Sequence, residues 1–185
     1  MLMGIIDRIL GRDEEEDTED NPEPTVANAQ STLVTNRTEI ILEHYDVTAV
    51  QSKTIAEILD QQFSGESSGV VVDDLIEEII ERTDLDKDIA STIALTENSS
   101  IALTNSINKY QSQGLGDADY QLIVKDCHEI CMDVRDDVED RDGFPLNELQ
   151  SMLRENAESY PDGTPERMDH WVPHEKCKAV ITRHV

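Results

Sequence analysis

Four side chains in the last third of the chain are of the types that bind metal ions. Three residues separate Cys127 from Cys131, two separate His174 from Cys177, and about forty lie between the two pairs. Close pairs of thiol and imidazole groups at such a separation are typical of a structural zinc site. The spacing therefore predicts zinc as a structural cofactor, bound by three thiolates and one imidazole.

Two further histidines compete with His174 as the fourth ligand. His170 precedes it by four residues, and His128 directly follows Cys127. The competing interpretation of the cysteines is that all three are buried free thiols, since free cysteine packs as a small apolar residue. We expect no signal peptide, and an odd number of cysteines then favours a metal site in a reducing compartment over a disulfide scaffold.

Known catalytic patterns do not fit these residues. The sequence from His174 to Cys177 lacks the second histidine of the metalloprotease helix, and its order is the reverse of the zinc deaminase signature. A zinc hydrolase would need an open coordination position and a general base. Glu129 and Glu175 are adjacent candidates for that base, but four protein ligands would close the site. We therefore expect no enzymatic activity.

Apolar periodicity predicts the helices that must support this site. The helical pattern runs over about residues 31–63, with a break near residues 46–48, where Asp46 and Thr48 are good helix caps. A second helix is predicted to begin at a cap formed by Asp73 or Asp74. A third is predicted over residues 87–113, ending at Gly114.

The period changes to that of a strand after this helix. Alternation over residues 120–124 predicts a strand that runs into Cys127, and residues 179–185 are predicted to form its partner strand. Between them we expect an acidic loop at 133–142 and a helix at 146–157. The predicted fold class is α+β, a mainly helical body with a small C-terminal β hairpin or sheet stapled by the zinc site.

Composition divides the chain into four parts. Residues 1–12 are predicted to be an amphipathic anchor, 13–30 an acidic flexible linker, 31–115 a helical domain, and 116–185 a β and zinc-binding region with a helical insertion. The linker is the clearest of these by composition, since residues 13–24 contain eight acidic residues and two prolines. The apolar residues of the anchor share one helical face: Leu2, Ile5, Ile6, Ile9 and Leu10. This apolar block is too short to span a membrane. The alternative interpretation of residues 1–12 is a frayed terminus whose periodicity is accidental.

The charge of the chain restricts its partners. The formal net charge is -26, from 41 acidic and 15 basic residues. One interpretation is intrinsic disorder; the other, which the periodic apolar blocks favour, is a folded protein of a salt-rich cytoplasm. So acidic a surface disfavours contact with DNA, which usually depends on Lys and Arg.

Thr96 and Glu97 interrupt the apolar stripe of the predicted long helix. A carboxylate is costly in such a position unless it is paired or hydrogen-bonded. Either Glu97 meets a specific partner group, or the stripe is locally exposed. We interpret Glu97 as a structural residue rather than a catalytic one.

The same helix carries a family resemblance. Residues 93–97 (Ile-Ala-Leu-Thr-Glu), followed by Asn105, Tyr110 and Gly114, resemble a helix of the phage Mu F-like minor head proteins, in which Ile-Ala-Arg-Thr-Glu leads to a Tyr and a Gly. In that family a strand then enters a cysteine pair, a segment with Asp-Gly and Phe-Pro follows, and the end reads Pro-His-Pro-Asn-Cys-Arg-Cys. Here these pieces are residues 142–145 and 173–179, in the same order.

The resemblance covers about residues 71–185 and has clear departures. Leu95 stands where the family has Arg, the gap between the first two cysteines is one residue longer, and Ala179 stands where a further Cys is common. The resemblance implies a virion component of a tailed virus or provirus, located in the capsid near the portal vertex and in the host cytoplasm during assembly. The implied partners are the portal protein and other head proteins, with possible contact to packaged DNA and several copies around a ring.

Two functions therefore stand as expectations. The first is a minor head protein of a haloarchaeal virus, acting in head morphogenesis, genome packaging or delivery, whose anchor docks on a ring-shaped partner. The second is a free-standing intracellular zinc-binding adaptor or regulator of a halophile.

Overall fold

The computed structural model describes residues 36–64, 70–124, 127–139 and 143–184. Within these ranges the chain is mainly helical, with a small antiparallel sheet near its C-terminal end, so the predicted fold class is confirmed. The predicted anchor and linker lie outside the described residues. The helices are α1 (residues 36–44), α2 (Ala49–Ser64), α3 (Val72–Thr83), α4 (Lys87–Ser112), α5 (Glu129–Glu139) and α6 (Leu146–Ser159), followed by a 3-10 helix (Pro165–His170). The strands are β1 (Asp119–Ile123), β2 (Phe144–Pro145) and β3 (Val180–Arg183).

The predicted break before α2 is built by a reciprocal cap. The Gln51 side-chain oxygen accepts the backbone N–H of Thr48 at 2.9 Å, and the Thr48 hydroxyl accepts the N–H of Gln51 at 3.3 Å. This arrangement satisfies donors that the first turn of a helix otherwise leaves unpaired. The sequence Thr-x-x-Gln is therefore the local cause of the helix start.

The predicted cap of α3 is wrong. The helix begins one residue before Asp73, and Val71 occupies the cap position without a side-chain hydrogen bond. Asp73 and Asp74 lie instead in the first turn, where their charges face the positive end of the helix dipole. Position in the first turn and position at the cap favour the same acidic residues, so the sequence pattern did not separate them.

The predicted acidic loop at 133–142 is wrong over residues 133–139, which belong to α5. Ile130, Val134 and Val138 recur every four residues on this helix, and all three are buried. The charged residues between them occupy the outer face. The loop was predicted from the many acidic residues of this segment, whereas its apolar residues repeat with a helical period.

The sheet has the order β2-β1-β3, with β1 antiparallel to both neighbours. Leu122 of β1 pairs with Ile181 of β3, which confirms the predicted strand pair, and Tyr120 pairs with Phe144 of the unpredicted β2. Pro145 ends β2 after two residues, since proline has no backbone N–H to donate.

Helix α4 contributes to both apolar cores. Ile93 and Ala94 pack in a first core with α2 and α3, whereas Leu103 and Ile107 pack in a second core with the sheet, α5 and α6. At about 1.5 Å per residue, a helix of this length bridges the two cores directly. Its middle turns, which carry Thr96 to Ser100, meet the metal-ligand loop through the hydroxyls of Thr96 and Ser99.

Candidate metal centre

The structure brings the four predicted ligands together. One ligand atom from each of Cys127, Cys131, His174 and Cys177 lies within 4.8 Å of the others, and all four side chains are at least partly buried. The group is close enough to bind a metal ion.

The described part of the chain has no helix both long enough and apolar enough to cross a membrane.

The spacing of the ligand atoms suits tetrahedral coordination. His174 Nε2 lies 3.3 Å from the sulfur of Cys127 and 3.2 Å from that of Cys131. The sulfurs of Cys131 and Cys177 are 3.7 Å apart. Sulfurs at about 2.3 Å from a tetrahedral ion are about 3.8 Å from one another, whereas a disulfide bond is about 2.05 Å long. The three cysteines are free thiols arranged around a common centre, which is consistent with zinc.

The imidazole of His174 is held in the orientation that a metal ligand needs. Its Nδ1 lies 2.7 Å from the carbonyl oxygen of Glu175, to which it donates its proton. The lone pair of Nε2 then points toward the three sulfurs. Such a second hydrogen bond fixes both the tautomer and the ring orientation of metal-binding histidines.

The alternative histidines do not join the group. His128 Nε2 pairs with Asp162 Oδ2 at 2.9 Å, and its Nδ1 accepts the N–H of Ile130 at 3.2 Å, so it caps the start of α5. The His170 side chain is not among the ligand atoms that lie within 4.8 Å of one another. Of the three candidate histidines, the structure therefore places His174 at the centre.

Local backbone structure places the first two cysteines. Cys127 follows β1, and Cys131 lies in the first turn of α5, where its N–H donates to the carbonyl of His128 at 3.1 Å. The helix start turns the two thiols inward from one short segment. The predicted Cys-x3-Cys gap thus spans the start of α5, with Cys127 two residues before the helix and Cys131 in its first turn.

The second pair is held by a tight turn against α4. Lys176 has a φ of 56°, and its N–H donates to the Thr96 hydroxyl at 2.9 Å. The Ser99 hydroxyl donates to the carbonyl of Cys177. Two hydroxyls of α4 therefore position the loop that carries His174 and Cys177. This role was not predicted from the sequence, although the position of Thr96 in an apolar stripe was the signal for it.

The thiols influence one another's protonation. Hydrogen bonds from Cys131 and Cys177 lower the pKa of Cys127, which is the least buried of the three. The hydrogen bond with Cys127, and after it the one with Cys177, raise the pKa of Cys131. One thiolate forms readily and disfavours a second beside it. A divalent cation coordinated by all three thiolates would offset the repulsion between their negative charges.

Glu97 has the specific partners that its position in the stripe required. Its carboxylate is buried and contacts Arg37 of α1 at 2.5 Å and Arg167 of the 3-10 helix at 2.5 Å. The Tyr45 hydroxyl donates to it at 2.9 Å. Burial alone would raise the pKa of Glu97, but the two guanidinium groups outweigh burial and lower it. Glu97 thus joins three elements by hydrogen bonds and ion pairs, as its structural interpretation predicts.

Comparison with known proteins adds no relative to this description: no family model, no curated protein and no solved structure matches the chain.

Proposed function

We propose that the centre binds zinc as a structural ion and that the protein is a minor head protein of a tailed virus, associated with the portal. The supporting observation is the joining of four separate sequence pieces. The strand β1 pairs with the Phe-Pro strand β2 and leads into the cysteine pair, and the cysteine pair meets the Pro-His-x-x-Cys segment in the metal centre. In the resemblance to phage Mu F-like proteins, these pieces follow the helix motif of α4 in the same order.

Zinc is the ion that best fits the donor set. Three thiolates and one imidazole at tetrahedral spacing are a common closed structural set. Softer thiolate ligands disfavour magnesium and calcium, which prefer oxygen. The ion would join the end of β1, the start of α5 and the loop before β3.

A structural role follows from the closed ligand set. Four protein ligands leave no position for a substrate or an activated water, which a catalytic zinc requires. Glu129 and Glu175, the two candidate bases, are both exposed. We therefore propose that the protein is not an enzyme and that the zinc stabilises a rigid docking piece.

The acidic charge favours protein partners over DNA. A net charge of -26 repels a phosphate backbone, and high salt screens this repulsion. We propose a haloarchaeal host, contact with the portal and other head proteins, and several copies around the portal ring. The protein would be present in the host cytoplasm before the head is complete.

The test is co-sedimentation with assembled particles at high salt. We expect the protein in purified heads at a few to a few dozen copies, with about one zinc per chain. Its gene should lie beside those for the portal and the large terminase. Recovery in the soluble fraction alone would instead support the alternative function, a free-standing zinc-binding adaptor or regulator.

A further inference from the structure

An apolar groove runs along the face of α4 that the two cores leave open. It has a volume of about 390 Å³ and lies between α4, the first residue of α3 and the segment that leads into β3. Its lining is mostly apolar: Val72, Leu95, Ala102, Leu103, Ala179 and Val180. Val180 is 50% exposed, and Val71 beside the groove is 58% exposed. An occupant that covered these side chains would remove apolar surface from water, which is favourable.

The groove is flanked by an unpaired strand edge. β3 pairs with β1 on one side, and among the described strands it has no neighbour on the other. An occupant of the groove would therefore cover both apolar side chains and part of this edge. An open edge beside an apolar surface favours association unless something covers it.

We infer that residues 2–10 of the same chain bind this groove as an amphipathic helix. Their apolar face consists of Leu2, Ile5, Ile6, Ile9 and Leu10. Nine helical residues extend over about 14 Å, and the part of α4 that lines the groove, from Leu95 to Ser106, extends over about 18 Å. The segment thus has an apolar face and is short enough to fit within the groove.

The chain between this segment and α1 is long enough to reach the groove. Twenty-five residues (11–35) lie between residue 10 and the first described residue. Arg37 of α1 contacts Ser100 at 3.2 Å, and the preceding residue, Ser99, lines the groove. Twenty-five residues span at most about 80 Å when fully extended. The groove is therefore within reach of the segment.

Tethering and charge both favour this occupant. A tether of this length gives an effective concentration of the order of millimolar, which a separate partner rarely reaches. The linker carries eight acidic residues between positions 13 and 24, and exposed Lys178 lies at the groove. A second copy of the chain would bring a further charge of -26 to the same surface.

Hydrogen exchange of the full-length, zinc-loaded protein in molar KCl tests the inference. We expect the amides of residues 2–10 to exchange at least about tenfold more slowly than in an unfolded chain, independently of protein concentration. Ala102→Glu places a charge in the groove and should remove this protection, as should Ile5→Asp combined with Ile9→Asp. Asn108→Glu, at an exposed position of the same helix outside the groove, should retain it.

Two results would overturn the inference. Exchange of residues 2–10 at the unfolded rate would show that the groove is not their site, and protection lost on dilution would assign the groove to a second copy. A photo-cross-linking residue at position 6 gives an answer that does not depend on altering the groove. Adducts on residues 95–106 of the same chain support the inference, and adducts elsewhere or between chains contradict it.

Discussion

Thr96 and Thr104 are both threonines of α4, but their hydroxyl groups have opposite surroundings. The Thr96 hydroxyl donates to the carbonyl of Thr92 at 2.7 Å and accepts the N–H of Lys176. The Thr104 hydroxyl is buried and has no hydrogen-bond partner among the described residues. A buried polar group is costly only when it is unpaired, so the same substitution should have opposite effects at the two positions.

Thr96→Val should lower the free energy of unfolding by about 1 kcal/mol, because the partly buried N–H of Lys176 loses its acceptor. It should also weaken metal binding, since that N–H belongs to the turn between His174 and Cys177. Thr104→Val is the matched control and should be neutral or stabilising. Urea unfolding and zinc titration of the two variants measure both effects, and equal losses would contradict the assignment.

Gly163 is required for a steric reason. A Cβ added to it would lie 1.9 Å from the carbonyl oxygen of Ala157, whereas one added to Gly116 would have its nearest neighbour at 4.0 Å. Gly163 also pairs with His174 in a β bridge.

Gly163→Ala should therefore destabilise the protein by about 3 kcal/mol or more and displace the loop beside the metal centre. Gly116→Ala should change stability by less than about 1 kcal/mol, since its backbone does not require glycine. Thermal unfolding of both variants distinguishes them. A Gly163→Ala protein as stable as the wild type would show that the loop does not pack against the end of α6 in this way.

At the level of elements, the Glu97 network determines how α1, α4 and the 3-10 helix fit together. Arg37 and Arg167 approach the carboxylate from opposite ends of the chain. Glu97→Gln would leave two buried guanidinium groups without a counter-charge, and we expect a loss of about 3 kcal/mol in the free energy of unfolding. Glu81→Gln, at an exposed position of α3, should change it by less than about 0.5 kcal/mol. Similar values for the two variants would argue against the network.

The contribution of Glu97 should depend on pH in a defined direction. Because Arg167 and Arg37 overcome the effect of burial and lower its pKa, the stabilisation is present above the ordinary carboxyl pKa of about 4.3 and is lost as pH falls through the folded-state pKa. The difference in stability between wild type and Glu97→Gln should therefore be constant near pH 7 and shrink in acid. Comparing the two proteins at each pH cancels the acid lability of the metal centre. A difference that grows in acid would contradict this assignment.

The sequence predicted these elements to different degrees. Long periodic segments such as α4 and α6 were predictable because each has a regular buried face. The ligand set was predictable because thiol and imidazole spacing is itself chemical information. The partners of Glu97 were not, since Arg37 and Arg167 are distant in sequence and no local pattern joins them. β2 was missed because two residues give no alternation to detect.

For the whole molecule, the metal centre should determine whether the second core is stable. The ligands come from two segments that otherwise meet through the short pairing of β1 with β3 and through the second core itself. Removal of the ion by a chelator should lower the melting temperature and loosen the sheet, with the first core less affected. Hydrogen exchange of α2, compared with that of β3, measures the difference. Equal loss of protection in both would show that the two cores unfold as one unit.

Cys177→Ser should give the same result without a chelator. The bound zinc should fall from about one per chain to nearly none, because a serine hydroxyl does not replace a thiolate. His170→Gln is the control, since His170 lies outside the ligand group, and it should retain its zinc. Zinc lost from the His170 variant and retained by the Cys177 variant would refute the assigned ligand set.

The distribution of the cores along the chain also determines the order in which the protein can fold during translation. Every residue of the first core precedes position 102, whereas the second core needs residues as late as Ile181. We therefore expect the first core to fold on the ribosome before His174 and Cys177, the other two ligands, have been synthesised. Nascent chains halted before His174 should have a protease-resistant first core and no bound zinc. The thiols of Cys127 and Cys131 should both react with an alkylating reagent.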